Sequence, residues 1–291
     1  MPYILKKYPI TEEKKVEDFL VEVVKLSETL ANKLLKNARI SDHKNKRLQK
    51  GKILKSGYIE VLIFEAISKG LKPLFQTEHF ALFDKPSGLL VHPTIRSTEY
   101  TLLDEIRYQF GDEANLVHRI DAETSGLILV SKNGYAEYVL REMFAKKSFI
   151  KKYKAFVEGE IKEDILIDSR ISNSEGLIKL KMQISADGKA SSTLIRPLIY
   201  DKIKNQTLVE AIPYTGRQHQ IRVHLNSISH GIVGDPIYGL DENFVDDFLN
   251  DKVKKSKRIQ TTGASRLMLH AYYLEFRFLE TTYVFCSRQG F

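Results

Sequence analysis

Apolar residues recur at Val16, Phe19, Leu20, Val23 and Val24, the i, i+3, i+4, i+7, i+8 spacing of one helical face. Ser27 stands where an N-cap belongs, and Leu30, Leu34 and Leu35 stripe a second helix. Two short β segments are expected next, around 39–41 and 58–64, which closes a small αα–β unit near residue 66. The stretch 67–77, with Gly70 and Pro73, reads as a linker. From Glu78 onward strand-like runs dominate, at 80–84, 127–131, 153–158, 192–197, 207–212, 268–276 and 282–286. Helices are expected at 100–110, 134–146 and 218–229. Strands and helices do not alternate regularly, so the expected class is α+β with a mixed, largely antiparallel sheet. The charged, Pro-free stretch 241–262 reads as an insertion with some helix, ending in the basic run 252–258. The expected organisation is therefore 1–66, a linker at 67–77, and a large domain over 78–291.

Composition adds partners and excludes classes. A chain of 291 residues that is 43% hydrophobic has room for about two globular domains. It has no uncharged apolar run of membrane-spanning length, and MPYILKKYPITEEKK has no apolar signal core, so a cytoplasmic protein is expected. One cysteine, Cys286, excludes an internal disulfide or a cysteine-cluster metal site and is expected to be a small buried apolar residue. The net charge of +8 favours a polyanionic partner. Its distribution is more telling. Between Leu30 and Tyr58 nine bases (Lys33, Lys36, Arg39, Lys44, Lys46, Arg47, Lys50, Lys52, Lys55) face one acid, Asp42.

Three strings hold the candidate chemistry. LVHRIDAETSGLILVSKN, residues 116–133, sets Asp121 between His118–Arg119 and the small residues Thr124, Ser125 and Gly126, just before an apolar strand. Alone, Asp121 reads more readily as the cap of a turn than as a reactive group. KKYKAFVEGE, 151–160, opens a strand with bases around Tyr153, which alone suits a core or edge tyrosine. IPYTGRQHQIRVHLNSISHGIVGDPIYG, 212–239, predicts a helix with Ile221, Leu225 and Ile228 buried on one face. His219, Arg222 and Asn226 fall on the opposite face, so Arg222 is expected to project outward. His219 and His224, five apart, suit structural histidines better than metal ligands, and no metal site is expected. No dinucleotide or phosphate-loop fingerprint is present. A fourth string, FDKPSGLLVHP at 83–93, reads as a turn set by Pro86, Gly88 and Pro93.

Taken together, DKPSGLLVHP, HRIDAETSGLILVSK, KKYKAFVEG, TGRQHQIRVH with SHGIVGDPIYG, and RLMLHAYYLEF resemble, in order, the motifs of the RluA-type pseudouridine synthases over residues 78–276. LANKLLKNARI and LQKGKILKSGYIEVLIF resemble, less closely, an alpha-L RNA-binding module of ribosomal-protein type; KKVEDFL and HKNKRLQK depart from its pattern. The resemblance implies a cofactor-independent isomerase that turns uridine into pseudouridine within RNA, the chain working as a monomer away from membranes. It implies that Asp121 is the catalytic carboxylate, acting as nucleophile or base, with Arg222 as its ion-pair partner and Arg217 the alternative. Tyr153 takes the position of the aromatic platform. Arg119, His118 and Arg217 would meet the substrate nucleotide, while Lys33, Lys36, Arg39 and Arg47 would meet the RNA backbone. The module favours large-subunit ribosomal RNA over transfer RNA as substrate; a non-catalytic RNA-binding or ribosome-assembly factor is the reading from another class.

Overall fold

Two helices and a three-stranded sheet gather around the apolar stripe that opens the chain. The computed structural model describes residues 3–94 and 98–291, so the first two residues of the expected N-terminal unit, and 95–97, lie outside it. In chain order the first elements are β1 (Tyr3–Pro9), β2 (Lys14–Lys15), α1 (Val16–Glu22), α2 (Glu28–Lys36), β3 (Ile40–Asp42), β4 (Ile53–Leu54) and β5 (Tyr58–Phe64). Val16, Phe19 and Leu20 of α1 are fully buried, whereas Val23 lies past the helix end and is exposed. Ser27 caps α2 as expected, its hydroxyl accepting from the Leu30 N–H at 3.2 Å. The sheet runs β1–β5–β3, both pairs antiparallel.

The chain divides into two units, the first comprising 1–71, 92–115 and 132–134, the second 72–91, 116–131 and 135–291. The first unit thus extends past residue 66. Its helix α3 (Leu102–Phe110) buries Glu105, whose carboxylate accepts from the Ser68 hydroxyl at 2.8 Å, the Leu71 N–H at 3.3 Å and the Lys69 N–H. The start of the expected linker is therefore tied to a distant helix, which sequence spacing does not reveal.

The remaining elements are β6 (Phe75–Gln76), β7 (Phe80–Lys85), β8 (Asn115–Leu116), β9 (Ser125–Ser131), α4 (Gly134–Ala145), β10 (Phe149–Glu158), β11 (Ile165–Asp168), β12 (Ile171–Asn173), β13 (Met182–Ile184), β14 (Ser192–Asp201), β15 (Gln206–Pro213), α5 (Gln220–Ser227), α6 (Glu242–Leu249), α7 (Lys255–Thr262), β16 (Leu269–Phe278) and β17 (Thr281–Cys286). The large sheet follows the order β11–β14–β15–β10–β16–β9–β7–β6, with β17 against β16 and β8 against β9. β16 and β9 run parallel, while the β11–β14, β14–β15, β15–β10, β10–β16, β7–β9, β6–β7 and β16–β17 pairs are antiparallel. This is the mixed, largely antiparallel α+β architecture the pattern predicts.

The parallel junction depends on Gly126. It sits at φ +111°, opposite Ala271, and an added Cβ would stand 2.3 Å from the Ala271 carbonyl oxygen. Ser125 and Gly126 thus belong to β9 rather than to the turn before it. In β17 alternate residues face inward, so Tyr283 and Phe285 are partly buried and Cys286 is exposed, contrary to the buried cysteine expected. Among the described residues no helix is long and apolar enough to cross a membrane.

Candidate active site

The loop between β8 and β9 carries Asp121 and is held from several sides. Its turn closes through the Thr124 N–H donating to the Asp121 carbonyl at 3.2 Å. The DKPSG turn after β7 grips the next two residues: Gly88 N–H donates to the Ala122 carbonyl at 2.8 Å, and the Ser87 hydroxyl to the Glu123 carbonyl at 2.6 Å. Lys85, fully buried, donates to the carbonyls of Pro86 and Leu89 at 2.9 Å each and of Ala122 at 2.7 Å. Burial pushes the Lys85 pKa down to about 7 against the pull of the Asp121 and Glu123 carboxylates. Three carbonyl acceptors nevertheless match the three protons of an ammonium. The string that specified nothing alone is the clamp of the Asp121 loop.

Arg222, in the first turn of α5, is the cation that meets Asp121. Its Nη1 donates to Asp121 Oδ2 at 3.2 Å, while Nε and Nη2 make a bidentate pair with Asp235 at 2.8 and 2.7 Å. Arg222 is only 2% exposed, and its neighbours Gln220, Ile221, Val223, His224 and Leu225 are buried too. The expectation of an outward Arg222 is thereby corrected. α5 is enclosed on several faces, and its guanidinium survives burial because carboxylates sit on both sides of it. Burial opposes the charge of Asp235, but the Arg222 guanidinium and the N–H groups of Ile237 and Tyr238 prevail and hold its carboxyl below the usual range. Burial likewise opposes the charge of Arg222, and Asp235 with Asp121 more than offsets it, raising its pKa.

His219 is not on the helix but precedes it, at φ +54°. Its Nε2 lies 3.8 Å from Asp121 Oδ2, and its Nδ1 lies 3.0 Å from the Tyr238 hydroxyl. That hydroxyl also accepts from the Met182 N–H at 2.9 Å, which holds the tyrosine against the histidine. Burial, reinforced by Arg222, pushes the His219 pKa down to about 4, and the ring is neutral at pH 7. The Arg222 guanidinium and the His219 ring both approach the Oδ2 edge of Asp121; among the described residues Oδ1 accepts no hydrogen bond. The Asp121 side chain keeps 24% of its exposure. A carboxylate fixed along one edge and open at the other can act on a substrate atom.

Tyr153 lies in β10, where the register against β16 shifts between Lys152 and Tyr153. It is 6% exposed, and burial together with the charge of Asp121 pushes its phenol pKa upward, so it stays protonated. Arg217 lies apart from Asp121: it is exposed, and its Nε donates to the Ala190 carbonyl at 3.2 Å. His118 is engaged within the fold. Its Nε2 accepts from the Leu129 N–H at 3.1 Å and its ring stacks on Phe144 at 4.6 Å, whereas Arg119 is exposed. His224 bonds Thr193 and the Ser169 carbonyl, a satisfied structural histidine.

In the first unit, Lys33, Lys36 and Arg47 are exposed, and Arg39 is half-buried with its guanidinium 4.6 Å from the centre of the Tyr3 ring. Asp42, the one acid between Leu30 and Tyr58, accepts from the Lys44 and Lys46 N–H groups at 2.9 Å each, folding its own turn. The sequence reading passed over Asp235, Lys85 and Tyr238. Asp235 was visible only as part of the GDPIYG string, 13 residues from Arg222, and nothing local marks the pairing.

Residues 79–227 match the family model described as RNA pseudouridylate synthase. An uncharacterized RNA pseudouridine synthase of Helicobacter pylori strain J99 is 32% identical over 290 residues, spanning 99% of this chain and 96% of the relative. Ribosomal large subunit pseudouridine synthase D of Zymomonas mobilis is 32% identical over 215 residues, 71% of this chain and 64% of the relative. Among solved structures, human RNA Pseudouridylate Synthase Domain Containing 1 superposes with a TM-score of 0.61 at 24% identity, covering 78% of this chain and 86% of that one, a likeness of fold.

Proposed function

Since the chain belongs to the RNA pseudouridylate synthase family, whose reaction is an isomerisation, we propose that it converts specific uridines of large-subunit ribosomal RNA to pseudouridine, with Asp121 as the catalytic carboxylate. The observation that carries the assignment of the site is the chain of charges Asp121–Arg222–Asp235, anchored on a buried helix. The reaction breaks the bond from the ribose to the uracil nitrogen, turns the ring, and joins the same ribose carbon to a ring carbon. A ring C–H proton leaves and the freed nitrogen is protonated, so no electron donor is required. Asp121 serves as nucleophile or base through its open edge; Arg222 orients it, and neutral His219 stands beside the same oxygen.

The target nucleotide has to leave its stack to reach a recessed carboxylate. Tyr153, protonated and mostly buried, offers the flat surface against which a flipped uracil rests and an O–H for proton transfer. Arg119, exposed beside the loop, is suited to a phosphate of that nucleotide, and Arg217 to a phosphate farther off. His118 shapes the loop from within. For the substrate, support comes from two sides: several relatives are ribosomal large subunit pseudouridine synthases D, and the first unit carries the exposed bases Lys33, Lys36 and Arg47. Such contacts hold the RNA without reading its sequence.

The test is pseudouridine mapping across all RNAs of cells with and without this gene, repeated in vitro with the purified chain. The expected result is loss of one or a few sites in large-subunit ribosomal RNA, restored by the wild-type chain and not by Asp121→Asn. Sites confined to transfer RNA would overturn the substrate assignment. Full activity of Asp121→Asn would overturn the site.

A further inference from the structure

Helices α6 and α7 carry opposite charges. α6 holds Glu242, Asp246 and Asp247. From Lys252 to Arg266 the chain has six bases (Lys252, Lys254, Lys255, Lys257, Arg258, Arg266) and no acid. Lys252 is engaged by Asp247 at 3.6 Å, while Lys254 at the N-cap of α7 and Lys255 and Lys257 on it are exposed, and the helix buries none of its own residues. A helix so polar does not hold its place by packing an apolar face.

One side chain anchors it. Arg258, its side chain 11% exposed, pairs with Glu123 at 2.5 Å and donates to the Gly234 carbonyl at 3.1 Å, its guanidinium resting 5.0 Å from the centre of the Phe248 ring of α6. Gly234 returns a hydrogen bond to the Thr262 carbonyl at 2.7 Å. Its backbone has to pass very close to Arg266: a Cβ at Gly234 would stand 1.9 Å from the Arg266 carbonyl oxygen. Both anchoring points belong to the site. Glu123 lies two residues after Asp121, and Gly234 directly precedes Asp235. Lys255 stands three positions before Arg258 on α7, so the two share a side, and Lys254 is the N-cap just before it. Two exposed lysines therefore open the helix that Arg258 ties to the loop carrying the carboxylate.

We propose that α7 is a second RNA-backbone contact, in which Lys254 and Lys255, with Lys257 beside them, take the phosphates of nucleotides flanking the target uridine. Arg258 fixes that contact to the Asp121 loop. The inference rests on the reading of the Asp121 site as one that acts on RNA. A flipped nucleotide needs its neighbours' backbone held, and phosphate contacts supply that hold while leaving the choice of base to other groups.

The experiment titrates the full chain against a fluorescently labelled in vitro transcript of large-subunit ribosomal RNA at several salt concentrations. Lys254→Gln/Lys255→Gln is compared with Lys202→Gln/Lys204→Gln, which removes the same charge from the exposed turn between β14 and β15. The α7 pair is expected to weaken binding about tenfold at 0.1 M salt and to flatten the slope of log affinity against log salt by about 1.4, two phosphate contacts' worth. Its KM rises while kcat at saturating RNA is kept, and the control pair behaves as wild type. Equal losses in both pairs, or none in the α7 pair, overturn the inference while leaving an active wild-type enzyme. A wild-type chain that forms no pseudouridine in that transcript or in total cellular RNA overturns the proposed function along with it.

Discussion

The charges around Asp121 and the charges on the first unit follow opposite physics. Arg222 and Asp235 are almost wholly buried and meet with bidentate geometry, so each is present only because the other is. Lys33, Lys36 and Arg47 are exposed to water, which screens their charge. The first arrangement orients one carboxylate at the cost of desolvation and is intolerant of change. The second acts as a summed field, in which each residue contributes little and salt screens the whole. In the proposed function, precision for chemistry and adhesion to a polyanion are built from the same residue types at different depths.

The sharpest break of this contrast is at Asp121 itself. Asp121→Asn keeps the size and loses the charge, and is expected to lower kcat by at least about 10²–10⁴-fold, the range for a lost acid–base group, with RNA affinity retained. Single-turnover pseudouridine formation checks it; a loss of affinity instead of rate would make Asp121 a binding residue. Next in size is Asp235→Asn, which strips Arg222 of its bidentate partner. Urea unfolding should show a loss of about 3–5 kcal/mol, the usual consequence of orphaning a buried charge. A change below about 1 kcal/mol would place the pair among ordinary surface ion pairs.

His219 yields the next effect, and its sign follows from its pKa. The folded value of about 4 lies below the ordinary histidine value of about 6.5, so on acidification the unfolded chain takes the proton first. The stability from keeping this ring neutral is complete above about pH 6.5 and lost as the pH falls toward 4, by up to about 3 kcal/mol. Buried His118 acts in the same direction. His219→Gln should flatten the pH dependence of the unfolding free energy over that window, and an unchanged curve would count against a neutral buried ring. The smallest effect is expected at the exposed bases. Lys33→Gln/Lys36→Gln/Arg47→Gln should weaken RNA binding several-fold and reduce the salt slope by about 2, with the melting temperature unchanged. Charge removal tests this surface more cleanly than deleting residues 1–66, because α3 uses residues near the cut: Glu105 holds 68–71, and the Arg107 guanidinium lies 4.6 Å from the centre of the Phe64 ring.

Strands β7, β9, β10, β14, β15, β16 and β17 stand where alternation or apolar runs predict them, and β5 matches residue for residue. β1 does not announce itself. YILKKYP mixes exposed Ile4 and Leu5 with lysines in no clean period of two, and it becomes a strand because β5 offers it a partner along seven residues. The orientation of Arg222 was misjudged for a related reason. A helical wheel divides inside from outside on the assumption of a single packed face, whereas α5 is enclosed on several.

What the sequence by itself determined was the local and the ordered: element types, the α+β class, the basic stretch before Tyr58, and the Asp121 loop recognised by the order of its accompanying motifs. Tertiary structure decided which charges meet. Asp121 and Arg222 lie 101 residues apart, and Glu123 and Arg258 lie 135 apart. No periodicity encodes such encounters, because periodicity reports only which side of an element is apolar. A buried guanidinium is tolerable only where folding delivers carboxylates to it, and that delivery is a property of the assembled sheet and helices.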